Sequence, residues 1–175
     1  QELPDPNVYR TASGAPGTHY WQQRADYKIN AHLDAPGRRV EASAQITYTN
    51  RSPDPLPYLW LQLDQNRFRK DSLDQRSRTT TEDRVSYGAL REQQSYADTE
   101  YGYQGLLFRD QGGEPIKATI VDTMARLDLQ SPLKSGEQIV FTVDWAFNVL
   151  EEVAVGSRGG YEYFEETDTQ LFFLA

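Results

Sequence analysis

At 175 residues, 38% apolar and 25% charged, the chain is long enough for one domain that buries roughly 70% of its unfolded surface. It has no cysteine, which excludes disulfides, thiol catalysis and cysteine-ligated zinc. No apolar run approaches a membrane span, and a net charge of −8 argues against binding to nucleic acid phosphates.

Residues 1–19 hold Pro4, Pro6, Gly14, Pro16 and Gly17 without periodicity, and are expected to form an extended N-terminal arm on a β domain spanning residues 20–175. From Trp21 to Leu33 the odd positions are mostly apolar and the even positions are all polar. That period of two predicts a strand with one face in a core and one in water. Asp34-Ala35-Pro36-Gly37 supplies a turn. The alternation resumes through Val40, Ala42, Ala44, Ile46 and Tyr48, then breaks at Pro53 and Pro55 before Tyr58-Leu59-Trp60-Leu61-Gln62-Leu63. The expectation is an antiparallel sheet of these three strands.

Residues 67–105 read as a long polar insertion carrying seven basic and seven acidic residues up to Tyr101. A short helix is expected to start near Thr80, with Asp83 three residues on and Val85, Ala89 and Leu90 as its apolar stripe. Tyr96, Tyr101 and Tyr103 either form a contact surface or cover a sheet edge. Further strands are expected at residues 105–108, 116–121 and 124–129. A turn follows over residues 131–136, and then a long strand places Ile139, Phe141, Val143, Trp145 and Phe147 on one face. Short strands at this spacing describe an all-β fold, an antiparallel two-sheet sandwich or saddle with one long polar insertion.

The negative charge collects at the C-terminal end. Glu151, Glu152, Glu162, Glu165, Glu166 and Asp168 stand there against Arg158 alone. The apolar run Leu171-Phe172-Phe173-Leu174 is expected to continue into a larger protein, and the start at Gln1 fits a processed or cut N-terminus. His19 and His32 are not grouped at ligand spacing, and no Gly-x-Ser-x-Gly turn or phosphate-binding glycine loop is present. Asn50-Arg51-Ser52 matches a glycosylation pattern that Pro53 makes a poor acceptor. Adjacent Glu165 and Glu166 are read as extended chain, where neighbours point opposite ways, the wrong spacing for a glycosidase pair.

Tyr27-Lys28-Ile29-Asn30-Ala31-His32-Leu33-Asp34, the stretch Ala44 to Ser52, and Leu59-Trp60-Leu61-Gln62-Leu63-Asp64 together resemble the opening of the aminopeptidase N-like (gluzincin) zinc metallopeptidases. Pro132-Leu133-Lys134-Ser135-Gly136-Glu137 resembles the turn before a long strand in that family. Residues 67–105 match nothing in it. The resemblance implies an N-terminal, substrate-flanking β domain that is non-catalytic alone. Its partners would be a peptide with a free N-terminus and a downstream catalytic domain of the same chain. No cofactor is then expected in these residues. Zinc is expected in the catalytic domain, on a His-Glu-x-x-His helix, where it would polarise the scissile carbonyl and activate water. A periplasmic or secreted location follows from the family tendency and the non-Met start. The family binds the substrate's α-amino group with an acid or amide just before a Thr/Ala-Asp-Ala-Arg-like stretch. Alignment with Thr167-Asp168-Thr169-Gln170 nominates Glu165; Gln170 stands where the family has Arg, and a slip of one residue nominates Glu166.

Two other readings compete. A free-standing sandwich that binds carbohydrate or protein would expose Trp21, Trp60 and Trp145 in a line. The alternation instead places Trp21 and Trp145 on core faces and leaves Trp60 open. A structural domain of an assembly would use Leu171 to Leu174 as its interface.

Overall fold

The computed structural model describes residues 5–77 and 85–173. Nine strands carry the fold: β1 (Arg24–Asp34), β2 (Arg39–Thr49), β3 (Leu56–Gln62), β4 (Gln104–Asp110), β5 (Ala118–Val121), β6 (Met124–Leu133), β7 (Gln138–Asn148), β8 (Gly160–Phe164) and β9 (Thr169–Phe173). They form a four-stranded sheet ordered β1-β2-β7-β4, a three-stranded sheet ordered β3-β6-β5, and a separate β8-β9 ribbon, all antiparallel. The all-β expectation holds. The three N-terminal strands do not share a sheet, however, because β3 crosses to pair with β6. The Pro53-Asp54-Pro55 break is where the chain changes layer, and alternation on each side of it is silent about that.

The core lies between the two larger sheets. In the first, Ile46 pairs with Phe141 and Ala44 with Val143, and Phe108 joins them from β4. Leu59, Ala125 and Leu127 close the core from the second sheet. Asn50, at the end of β2, is wholly buried. Its Oδ1 accepts from the Ser52 N–H at 2.9 Å, the Ser52 hydroxyl at 2.7 Å and Gln23 Nε2 at 3.1 Å. Its Nδ2 donates to the Asp54 and Leu133 carbonyls, both at 2.8 Å. The glycosylation-like triplet is therefore a polar plug that satisfies the loop where the chain changes sheets.

β1 departs from expectation. Tyr27, Ile29 and Leu33 share the inner face with Ile46, Ala44 and Val40 of β2, yet are 59%, 58% and 40% exposed where the β2 residues are 5%, 4% and 6% exposed. The three-stranded sheet does not cover this flank.

The insertion is more structured than its composition suggests. A 3-10 turn (Asp64–Phe68) leads to α1 (Leu73–Ser77) and α2 (Tyr87–Asp98). Thr80 and Asp83 lie outside the described residues. The helix that carries Ala89 and Leu90 is capped by Ser86, whose Oγ accepts from the Ala89 N–H at 3.2 Å. The expected stripe does not face a core, since Val85 and Leu90 are exposed. Instead Tyr96 and Tyr101 are buried with Leu150, Ala154 and Val155, the last two from α3 (Glu152–Val155), in a second small core. Their rings meet edge-to-face at 5.4 Å, and the Tyr101 hydroxyl bonds Ser95 Oγ at 2.5 Å. These tyrosines neither cap a sheet edge nor form a contact surface. Half-buried Tyr103 packs edge-to-face on Phe147, and its N–H donates to the buried Asn66 amide at 3.0 Å.

Candidate functional site

The residues nominated for substrate amine binding fall at the tip of the β8-β9 ribbon. Phe164 pairs with Thr169, leaving Glu165-Glu166-Thr167-Asp168 as a four-residue turn. The Glu pair is thus not on extended backbone, so strict alternation does not govern where the two carboxylates point. Both are exposed, and neither has a side-chain hydrogen-bond or ion-pair partner among the described residues. The turn is fixed from its other half. Asp168 sits at φ 48°, a left-handed conformation that Asp tolerates, and its Oδ1 accepts from the Tyr163 hydroxyl at 3.0 Å. That bond to a carboxylate holds the Tyr163 phenol above its ordinary pKa.

The ribbon's root is better anchored than its tip. The buried Tyr161 donates its N–H to the Leu150 carbonyl at 2.8 Å and packs with Val40, Phe147 and Val149. Arg38, from the β1–β2 turn, lies 4.3 Å from the Tyr161 ring centroid and donates from Nη1 to the phenol oxygen at 2.8 Å. Burial pushes the Tyr161 phenol up, and the Glu151 charge adds to it. At Gly160 an added Cβ would lie 2.6 Å from the Leu150 carbonyl oxygen, so the ribbon can leave the body this closely only at glycine. Sequence reasoning missed Arg38 and Tyr161. They are 123 positions apart, and no local pattern joins them.

Beside this root is an open cleft of about 830 Å³. The Gly156 to Gly160 loop and the 3-10 turn line it, with Phe147, Val149 and Leu150 at its base and Arg67, Arg158 and Asp64 among its polar groups.

His19 and His32 are both exposed, and His32 lies on the polar face of β1. Among the described residues no group of three His, Asp or Glu side chains is placed to hold a metal ion. Among the described residues no helix is long and apolar enough to cross a membrane. The tryptophans divide differently from expectation. Trp145 is half-buried against the core, but Trp21 precedes β1 and is 40% exposed, and Trp60 is 54% exposed on the outer face of the three-stranded sheet. There Trp60 meets Tyr58 edge-to-face at 6.1 Å, and Arg126 lies 4.1 Å from the Tyr58 ring centroid.

No family model matches the chain, and no curated protein matches it. Among solved structures it is similar to an M1 zinc metallopeptidase from Deinococcus radiodurans, in a crystal structure of a single-residue variant, at 13% identity and a TM-score of 0.42. It is also similar to that variant bound to a Tyr-Ser-Ala substrate, at 12% identity and the same TM-score. In both cases the likeness covers 79% of this chain and 24% of the other, so the chain spans about a quarter of the length of those proteins.

Proposed function

We propose that this chain is the substrate-flanking β domain of a zinc-dependent aminopeptidase, contributing a carboxylate that holds the free α-amino group of a peptide. The observation that carries the proposal is the tip of the β8-β9 ribbon. Two carboxylates without side-chain partners stand there, at the chain position where the sequence resemblance puts the amine-binding acid. A carboxylate without an internal partner is free to accept hydrogen bonds from an ammonium group. The Tyr161 anchor gives the ribbon a fixed root. Zinc and the hydrolytic groups would sit on a catalytic domain of the same protein, and the periplasm or the extracellular space would be its compartment.

Charge-assisted hydrogen bonds of this kind contribute about 1.5–3 kcal/mol. In the full-length protein, Glu165→Gln is therefore expected to raise KM for aminoacyl substrates about 10- to 100-fold with a smaller change in kcat. Glu166→Gln is the register control. If neither variant moves KM, the assignment fails.

A further inference from the structure

β1 is the edge of the four-stranded sheet, and among the described residues no strand pairs with its outer side. Edge strands are usually guarded by bulges, proline, short length or charged side chains, because their free N–H and C=O groups template pairing with another chain. Of these β1 has only charges, Arg24, Asp26, Lys28 and Asp34, which come in both signs. The opposite edge, β4, is guarded by an irregularity: its register with β7 shifts between Gln104 and Leu107. β1 has eleven residues, no proline, and an unbroken register with β2 from Arg24 to Asp34. It also carries the uncovered flank of the inner face, at Tyr27, Ile29 and Leu33.

We propose that β1 is a homodimerisation edge, pairing antiparallel with β1 of a second copy about a two-fold axis at Ile29. Its own sequence supports that occupant. Ile29 is the midpoint of the strand, so only an axis there lets all eleven residues pair. In that register Arg24 faces Asp34 of the second copy, Asp26 faces His32 and Lys28 faces Asn30. On the other face Ile29 meets its own copy, Tyr27 meets Ala31 and Leu33 meets Ala25. No like charges meet. Moving the axis one residue toward the N-terminus would set Lys28 against Lys28, and one residue the other way would set Asp26 against Asp34. Cross-strand like charges are destabilising and opposite charges stabilising, so charge disfavours the two neighbouring registers, and the number of residues paired favours the axis at Ile29 over more distant ones. The paired edges would form one continuous eight-stranded sheet and bring the two uncovered flanks side by side. This inference does not depend on the role of Glu165.

The chain's lack of cysteine gives a clean test. Directly opposed residues in an antiparallel pair have Cα atoms about 4.5–5.5 Å apart, within disulfide range. Ile29→Cys is expected to oxidise to a covalent dimer. Tyr27→Cys should not, because the two copies of that position would be about 14 Å apart, four residues along the strand. By sedimentation or light scattering the unmodified chain should reach twice its 20.0 kDa mass at micromolar concentration. Ile29→Lys, at an exposed position that leaves the fold intact by circular dichroism, should weaken association about 100-fold or more by opposing two ammonium groups. The proposal is overturned if the unmodified chain stays monomeric at millimolar concentration. It is equally overturned if Ile29→Lys leaves the dimer unchanged, or if Tyr27→Cys cross-links as readily as Ile29→Cys.

Discussion

β1 and β2 are written in the same pattern, eleven residues each with apolar side chains on alternate positions, and they pair along their whole length. One is a core strand and the other is an edge with an open flank. The difference lies outside both segments. β2 has β7 on its far side and the three-stranded sheet across from it, while β1 has neither. A period of two therefore tells which residues share a face. It does not tell whether anything covers that face.

The largest expected effect sharpens this contrast. Phe141, deep in the core opposite Ile46, should cost about 3–5 kcal/mol of folding free energy when replaced by Ala. Ile29→Ala, assayed by urea unfolding at concentrations where the chain is monomeric, should cost about 0.5 kcal/mol or less. Similar losses at both sites would mean that the β1 flank is covered after all. Next is Asn50→Ala, expected to cost about 3 kcal/mol because several buried partners would be left unsatisfied, against about 1–3 kcal/mol for a single group. A neutral result by the same unfolding assay would show that water fills its place. The smallest effect is alkaline. Burial raises the Tyr103 phenol above its ordinary pKa, with the Asp64 charge adding to it. Its contribution to stability is complete below the unfolded value of about 10 and is lost as the pH rises from there through the folded pKa. Stability measured up to that range should fall less steeply in Tyr103→Phe than in the unmodified chain.

Strands β1 to β7 were legible in the sequence because each one alternates or runs apolar between turn residues, whereas the β8-β9 ribbon was read only as an acidic stretch and an apolar run. Their allocation to sheets was not, since β3 looks like a continuation of β2 and only its long-range pairing with β6 decides otherwise. Residues 67–105 were legible as a long polar stretch but not as a packed one. The small core around Tyr96 and Tyr101 is completed by Leu150, Ala154 and Val155, which lie about 50 residues further on. At the candidate site the acidic residues Glu165, Glu166 and Asp168 were visible in the sequence, but on extended chain and not in the turn that they form. The support of that turn was not visible, because Arg38 meets Tyr161 only once the sheets are assembled.

That contact has a mechanical consequence. The ribbon is a two-stranded arm, and Tyr161 is its pivot, four residues from Glu165. At about 3.3 Å per residue the tip lies about 13 Å from the pivot, so a tilt of about 10° would carry the carboxylates about 2 Å. That distance separates a hydrogen bond from a miss. The Arg38 guanidinium on the Tyr161 ring, with Phe172 packed beside it, therefore holds the ribbon at the end where any tilt would have its smallest displacement.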